Sequence, residues 1–533
     1  MKLLFFGLAA LAASASTIAQ TAPAAPSLTA GAAFKGLQFD WDPVAGASWY
    51  QLELRAHRTG AFVQQGDDLP SSVTSLTWTL PLHLFDWTYA RYRLGACNSA
   101  GCTYSDEVSV SDLRTLAVGY FKALTNKTNS RFGNDTDLSP DGRNFVVAAP
   151  LDDSVINGTT YHTGSISVFR RKANGVWGQR ARLVPTVPPH LEGLGDTRVA
   201  ISADGDTVAY AQPNFAHVQN DENPGEVFVF HFDGTSKWIR TRIPRPEVGT
   251  FGDWVGINDA GNTLAVGVQY SNTTRVAIYR LVSGAWQNVR NIPRGGQDCR
   301  KGVLSRDGST VAESCFIRVS SSSPTYTAVR VFSGPNWTTL TELPMTLPDA
   351  SPGAYIGMQG IGIDSNGSTI AAQIYEDDVE TTGGPSQVNV FKRGSSGYTQ
   401  VAELKPGAWR DGNQKWRYGL AISVSGDGST LVVGDVTDNG FGTGPRAAPL
   451  NPTTTPTGAA YVYRLKDSAW VLANMVKPNK PVAGELAFGR DVSLDGTGKT
   501  LILGQESENS NAHGIGGDWT NTDSPFSGAV WMY

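Results

Sequence analysis

Carboxylates and aromatic residues that could act on a ligand occur together in long, turn-rich segments of this chain. Exposed Trp and Tyr side chains beside carboxylates can stack on sugar rings or anchor a protein partner. The alternative is that these segments are solvated loops in which a few aromatic side chains pack against a scaffold. The candidate ligand-binding residues are Asp152, Asp153, Tyr161, His162, Tyr375, Glu376, Asp377, Asp378, Trp409, Trp416, His513, Asp518 and Trp519.

Catalysis has weaker support than binding. A glycosidase needs two carboxylates that face one cleft, and the acidic run Glu376-Asp377-Asp378 could supply them, but nothing in the sequence pairs them. No Gly-x-Ser-x-Gly elbow, His-Glu-x-x-His helix or phosphate-binding loop occurs. No catalytic residue is therefore assigned. A polysaccharide-active glycosidase or lyase, or a passive envelope or matrix component, stays as an alternative.

The four cysteines fall into two close pairs. An even number in an exported chain favours disulfides, whereas a structural metal site needs four converging ligands, often with histidines nearby. The seven histidines are scattered along the chain. The sequence therefore predicts no metal site and two disulfides, formed by Cys97 with Cys102 and by Cys299 with Cys315.

The candidate residues must be positioned by the strands and turns of one short sequence motif that repeats along the chain. An aromatic or aliphatic residue and a glycine lead into a short strand, a Ser-x-Asp-Gly type of turn and a second apolar strand. A unit of about 50–60 residues that reads as four short strands predicts a β-propeller. The predicted turn glycines are Gly142, Gly205, Gly261, Gly308, Gly367, Gly428 and Gly496.

The repeat also predicts which end of the propeller binds. Each tight turn joins the first and second strands of a blade, so the long loops between the second and third strands emerge at the opposite end. Long loops on a rigid scaffold are where binding residues usually lie. The turns themselves are expected to be scaffold, with Asp accepting backbone N–H bonds and Gly adopting a positive φ. The predicted loops are 151–163, 212–224, 316–327, 374–386, 436–457 and 505–527.

Residues 31–112 show a different pattern, in which short strands alternate apolar and polar residues as half-buried strands do. The order of Trp41, Ala47, Tyr50, Tyr92 and the run Asn98-Ser99-Ala100-Gly101 resembles a fibronectin type III domain. The resemblance implies a β-sandwich of about 80 residues. No Arg-Gly-Asp triplet occurs, so the best-known adhesive use of that family has no support here.

Residues 113–533 resemble the FG-GAP repeats of integrin α-chain heads and of exported bacterial propellers. The resemblance is carried by aromatic-Gly pairs and by Ala149-Pro150, which precedes an acidic loop and Gly164. Some blades of that family hold calcium in an Asp-x-Asp-x-Asp-Gly loop; no copy here has that string, so no cofactor is predicted and calcium stays a possibility. The matching pairs are Phe132-Gly133, Phe251-Gly252, Tyr418-Gly419 and Phe488-Gly489.

The last repeat ends at Tyr533 without a fourth strand, and 118–126 has the pattern of that strand. If 118–126 pairs with the last blade, the ring closes and no sheet edge is left exposed. The sequence thus predicts an all-β fold, a fibronectin type III-like β-sandwich followed by a seven-bladed β-propeller closed by an N-terminal strand.

Composition and the first residues predict the location of the protein. The chain has 533 residues, a net charge of −5 and no basic cluster, so nucleic-acid binding is not expected. Lys2 and the apolar run 3–13 predict a signal peptide at 1–19, followed by a linker at 20–30. We expect a secreted, periplasmic or cell-surface monomer that does not insert into the membrane after cleavage and that binds a protein or a glycan.

Overall fold

The computed structural model divides the chain into two compact units. The first comprises Met1–Ala32, Leu37–Trp78 and Asp86–Leu113, and the second comprises Ala33–Gly36, Thr79–Phe85 and Arg114–Tyr533. The predicted signal peptide at 1–19 lies outside the described residues. The structure describes residues 20–156, 159–185, 197–213, 225–246, 249–269, 274–293, 298–318, 325–348, 356–376, 385–405, 417–440, 442–447, 456–480 and 487–533.

The N-terminal strands form two sheets. One has the order β1-β2-β6, and the other has the order β4-β3-β7-β8, with β5 also paired to β3 and β9 to β7. A 3₁₀-helix, Ser111–Leu113, follows. The strands are β1 (Leu28–Ala33), β2 (Gly36–Trp41), β3 (Trp49–Arg55), β4 (Val63–Gln64), β5 (Leu69–Pro70), β6 (Ser75–Thr79), β7 (Arg91–Asn98), β8 (Gly101–Tyr104) and β9 (Val108–Ser109).

Aromatic side chains hold the core of the first unit. Phe39 of β2 meets Tyr92 of β7 with ring centroids 4.7 Å apart, so the inner faces of the two sheets are in contact. Cys97 and Cys102 are directly opposite each other in β7 and β8 and form the predicted disulfide. β1 begins at Leu28, inside the segment 20–30 that the sequence predicts as linker.

The second unit is built almost wholly from strands. A second 3₁₀-helix, Pro335–Trp337, lies between β27 and β28. The strands are β10 (Gly119–Phe121), β11 (Thr136–Leu138), β12 (Asn144–Ala149), β13 (Asp153–Ile156), β14 (Thr159–His162), β15 (Ser165–Arg171), β16 (Trp177–Leu183), β17 (Arg198–Ile201), β18 (Thr207–Gln212), β19 (Glu226–Phe232), β20 (Trp238–Arg242), β21 (Thr250–Ile257), β22 (Thr263–Gln269), β23 (Thr274–Val282), β24 (Ala285–Pro293), β25 (Asp298–Leu304), β26 (Val311–Arg318), β27 (Thr325–Ser333), β28 (Thr339–Met345), β29 (Ile356–Gly357), β30 (Ile361–Ile363), β31 (Thr369–Glu376), β32 (Ser386–Gly394), β33 (Gly397–Leu404), β34 (Tyr418–Val424), β35 (Thr430–Asp435), β36 (Ala459–Lys466), β37 (Ala469–Val476), β38 (Asp491–Leu494), β39 (Leu501–Gln505) and β40 (Ala529–Met532).

These strands pair into a series of antiparallel sheets. We number the sheets S1 to S7 in the chain order of their first strands. Every residue is buried in the second strands β12, β18, β22, β31, β35 and β39, which explains their continuous apolar runs. The sheets are S1 (β11-β12-β15-β16), S2 (β17-β18-β19-β20), S3 (β21-β22-β23-β24), S4 (β25-β26-β27-β28), S5 (β29-β31-β32-β33, with β30 paired to β31), S6 (β34-β35-β36-β37) and S7 (β38-β39-β40-β10).

The first strands follow one another around an axis. In order they are β11, β17, β21, β25, β30, β34 and β38; each contacts the next, and β38 contacts β11. Successive antiparallel sheets around a central axis are the arrangement of a β-propeller. The sequence prediction of an all-β propeller fold is therefore confirmed.

The strand order also shows how S7 is completed. β10 pairs with β40, with Tyr120 opposite Trp531, as expected from 118–126. Beside this pairing the Lys122 ammonium lies 2.7 Å from the Glu508 carboxylate and donates to the Ser527 hydroxyl at 2.6 Å. Both charged groups are buried, so this ion pair ties β10 to the last sheet.

The recurring turns are scaffold, as their residue types predict. In Ser139-Pro140-Asp141-Gly142 the Ser139 hydroxyl donates to Asp141 at 2.6 Å, and Gly142 has φ 66°. The last turn corrects the prediction. Gly498, not Gly496, has the positive φ of 66°, and its N–H bonds the Asp495 carbonyl at 3.2 Å. Asp495 occupies the first position of this turn, so the glycine in its fourth position is Gly498, two residues after the predicted Gly496.

Backbone bonds between turn tips close the turn end of the axis. The corresponding bond from the turn of S1 to the turn of S2 would need the N–H of Pro140, and proline has none. The Arg306 side chain spans that step, because its guanidinium donates to Asp137 and to the carbonyls of Leu138 and Ile201 at 2.6–2.7 Å. The tip bonds, from N–H to carbonyl, are Ala203 to Asp259, Asp259 to Arg306, Asp307 to Ser365, Ser365 to Gly426, Asp427 to Gly496 and Gly496 to Pro140.

The second predicted disulfide is also present. Cys299 and Cys315 are directly opposite in β25 and β26 and are bonded to each other. The Glu313 carboxylate lies near both sulfur atoms, but sulfurs joined in a disulfide are not thiolate ligands. Arg275 instead pairs with Glu313 at 3.2 Å. Within the described residues, no helix has the length and apolar character needed to cross a membrane.

Candidate functional site

Three of the predicted ligand-binding side chains are buried rather than exposed on loops. Tyr375 and Glu376 form the end of β31, because that strand is longer than the apolar run suggests. Asp152 sits in a turn after β12, where its carboxylate receives the Ser165 hydroxyl at 2.6 Å and Arg182 at 2.7 Å. The expectation of exposure at these positions is therefore wrong. Asp377, Asp378, Trp409 and Trp416 lie outside the described residues.

The burial of Asp152 follows from a motif that recurs in the propeller. Asp438 occupies the same place after the second strand of S6 and pairs with Lys477 at 2.6 Å. Glu508 does so in S7, where its partner is Lys122. In each case a cation in the outer strand, or directly after it, neutralises an acidic residue of the loop. We interpret Asp152 as part of this scaffold.

The other described candidates lie in the loops of S1 and S7, which the link 122–131 joins. We call this region the seam face and define it by the link 122–131, the described residues of the segment 151–163 and the loop 506–527. Asp153 opens β13 and forms an ion pair with Lys127 of the link, and Tyr161 lies on β14 opposite Ser154. The Asn126 side chain donates to the Ser510 and Ala512 carbonyls at 2.9 Å. The link thus joins the loops of both sheets.

The loop of S7 is held by its own polar bonds. The Asp518 carboxylate accepts the Thr520 hydroxyl at 2.6 Å and the Thr520 N–H at 2.8 Å, and these bonds lower the pKa of Asp518. The half-buried Trp519 packs edge-on against Trp531 with ring centroids 6.0 Å apart. His513 accepts the Asn126 N–H at 3.2 Å. Loop order here comes from hydrogen bonds rather than from deep burial.

A groove of about 670 Å³ opens on the seam face. Its size is within the range of small-molecule binding pockets. It contains both charged side chains and apolar side chains, and it includes the two adjacent aspartates of the sequence prediction. The lining residues are Thr125, Asn126, Lys127, Asp152, Asp153, Ser154, Val155, Arg182, Val184 and Arg240.

A second cavity, of about 190 Å³, lies on the axis. We call it the axial pocket. Four of its charged lining residues each lie four positions before the first residue of the recurring turn, and these are Asp135, Arg198, Lys301 and Asp491. The tip bonds and Arg306 close its turn end. None of these four residues is among the sequence candidates, because each sits in a strand whose residues look like those of any other blade.

The pKa values of the two axial carboxyls, Asp135 and Asp491, are both raised. Burial and, to a lesser extent, the neighbouring Asp491 raise the pKa of Asp135 to about 7, against the opposing charges of Arg198 and Lys301. Burial also raises the pKa of Asp491, which accepts the Thr136 hydroxyl at 2.5 Å. The Asp135 carboxylate accepts the Val199 N–H at 2.7 Å. Two carboxyls that interact in this way titrate as a pair and hold a proton near neutral pH.

Comparisons with known proteins give distant structural similarity. No family model matches the sequence, and no curated protein is similar to it at a significant level. Among solved structures, the hydrazine synthase of Kuenenia stuttgartiensis is 13% identical with a TM-score of 0.42, over 71% of this chain and 93% of that one. The periplasmic gluconolactonase PpgL of Pseudomonas aeruginosa is 14% identical with a TM-score of 0.39, over 81% and 98%.

An oligogalacturonate lyase from Vibrio parahaemolyticus is 11% identical with a TM-score of 0.40, over 78% of this chain and 90% of that one. Identities and scores this low transfer no activity and no ligand. The functional argument therefore rests on the residues of this chain.

Proposed function

We propose that this chain is an exported recognition protein that binds a protein or a glycan through the loop end of a seven-bladed propeller. The proposal includes FG-GAP-like blades, a fibronectin type III-like first domain, a monomeric state and a secreted, periplasmic or cell-surface location. Binding is proposed to need no cofactor. The two disulfides support export, because such bonds persist in oxidising compartments.

The observation that carries the proposal is the groove on the seam face. It lies among hydrogen-bonded loops on a rigid sheet scaffold, which is where binding residues are usually found. The half-buried Trp519 lies in the 506–527 loop of the same face, outside the groove lining. An aromatic ring that is fixed on one side by Trp531 keeps little conformational entropy to lose when a ligand covers its other side.

The test is a glycan and surface-protein array probed with the full mature chain, with calcium and with a chelator. We expect saturable binding that Trp519→Ala weakens about fivefold to tenfold, which corresponds to about 1 kcal/mol. Calorimetry with the best array hit measures this change. Tyr326→Ala, an exposed aromatic residue of S4, is the control and should leave the affinity unchanged. Equal losses in both variants would argue against the seam face.

A polysaccharide-active enzyme is the second candidate, and the axial pocket favours it. A carboxyl with a pKa near 7 beside a second carboxyl is the arrangement that supplies a general acid at neutral pH. Polysaccharide turnover by the natural chain that both Asp135→Asn and Asp491→Asn abolish would support this candidate. Turnover that survives both substitutions would remove the axial pocket from the reaction.

A further inference from the structure

The described residues that line the seam groove include three cations and two carboxylates. Arg182 is neutralised by Asp152, with Nη2 at 2.7 Å and Nε at 3.1 Å. Lys127 is neutralised by Asp153. Arg240 also lines the groove, and within the described part of the chain it has no carboxylate partner. The described lining of the groove therefore carries an excess positive charge at Arg240.

The guanidinium of Arg240 is held in place by neutral contacts. Its Nη1 donates to the Pro185 carbonyl at 2.6 Å, and its carbon lies 5.8 Å from the centre of the Phe228 ring. One donor is thus used on the scaffold while the side chain stays exposed. A planar guanidinium with open donors matches the geometry of a carboxylate and can bind it through two parallel bonds.

The remainder of the groove offers neutral polar and apolar surface. Thr125 and Ser154 supply hydroxyl groups, while Val155 and Val184 supply apolar patches. Val155 is 71% exposed, so its side chain is available for contact. A saccharide presents the same mixture of hydroxyl groups and apolar C–H faces, and a uronic acid adds a carboxylate that can pair with Arg240.

We propose that the seam groove binds a carboxylate-bearing saccharide and that Arg240 pairs with its carboxylate. This inference rests on the proposed recognition function and specifies the ligand class. Asp152 and Asp153 keep Arg182 and Lys127 neutralised, so that the ligand carboxylate is directed to Arg240, which has no carboxylate partner among the described residues.

Calorimetry with trimannuronic acid and with its trimethyl ester tests the proposal on the full mature chain. We expect the acid to bind at least tenfold more tightly than the ester, and Arg240→Gln to weaken acid binding at least tenfold. Arg242→Gln is the matched control, because Arg242 lies two residues away on the same strand but is paired with Glu226 at 2.8 Å. The affinity of the Arg242→Gln variant for the acid should differ less than twofold from that of the natural chain.

Other results would overturn the inference in distinguishable ways. Equal losses in Arg240→Gln and Arg242→Gln would mean nonspecific attraction between a polyanion and surface cations. If the ester binds as tightly as the acid and binding depends on Trp519 alone, the recognition function stands, but Arg240 does not recognise a ligand carboxylate. Arg240-dependent binding of a glutamate-rich peptide in preference to the saccharide would replace the ligand class. Absence of binding to any glycan or protein probe would end both proposals.

Discussion

The axial pocket and the seam groove contain similar charged residues in different surroundings. On the axis, Asp135 and Asp491 are held among backbone and hydroxyl donors and face Arg198 and Lys301. In the groove, Asp152 is buried, but Lys127, Asp153 and Arg182 are partly exposed, and Arg240 has no carboxylate partner among the described residues. Burial makes the axial charges depend on one another. Exposure leaves the groove charges able to exchange partners with a ligand.

Residues of the same type therefore have different roles in the two regions, and the extent of their solvation determines the role. A buried carboxyl that loses its partner cannot be rescued by water, so its partner is part of the fold. A partly exposed carboxylate loses little, because water replaces the partner. The comparison therefore predicts large effects on stability at the axis and small effects on stability in the groove.

Removing Arg306 should give the largest effect. Arg306→Ala leaves the mostly buried Asp137 without its cation and opens the step at Pro140, where no backbone N–H can take over. We expect a loss of about 3–5 kcal/mol in the free energy of unfolding, measured by urea denaturation. Arg240→Gln is the control and should stay within about 0.5 kcal/mol of the natural chain. Similar losses in both variants would refute the contrast between the two regions.

The pH dependence of stability should be the next largest effect. The folded pKa of Asp135 is raised to about 7, above an unfolded value of about 3.9. The folded state therefore binds the proton more tightly. The stabilisation that the bound proton gives the folded state is fully present below about pH 4 and is lost as the pH rises through 7.

Asp135→Asn should flatten that loss, because the amide does not ionise. We expect the variant to exceed the natural chain in stability by on the order of 2–4 kcal/mol at pH 8, and by much less at pH 4. Unfolding free energies measured at intervals between these pH values provide the comparison. Asp153→Asn should run parallel to the natural chain, and parallel curves for Asp135→Asn as well would count against a shared axial proton.

The sequence predicted the parts of the fold that repeat. Turn residues, apolar second strands and the pairing of β10 with β40 follow from local patterns, and the two disulfides follow from cysteine spacing. Gly496 was misassigned because Asp495-Gly496-Thr497-Gly498 offers two glycines, and only the observed φ separates them. Disulfide pairing was predictable because each pair flanks a single strand turn.

The axial residues could not be predicted, because the direction of a side chain depends on strand register. Register shifts in S3 between Phe251 and Val255, and in S6 between Tyr418 and Ile422, break the simple alternation. The axial charges share a position four residues before the turn, yet S3 and S6 carry Trp254 and Ala421 there, so the charge itself does not repeat from sheet to sheet. A residue such as Asp135 becomes visible as a site only when strands from several sheets are brought together.

The smallest effect should come from the groove pair of Lys127 and Asp153. Both side chains are partly exposed, at 33% and 24%, so water can solvate Asp153 after Lys127→Gln. We expect the free energy of unfolding to change by less than about 1 kcal/mol, by urea denaturation at low and at moderate salt. The small difference should shrink as salt screens the pair. A loss as large as that of Arg306→Ala, unaffected by salt, would mean that Lys127 anchors the link 122–131 as firmly as Arg306 closes the axis. The groove would then be scaffold, and solvation would not distinguish it from the axial pocket.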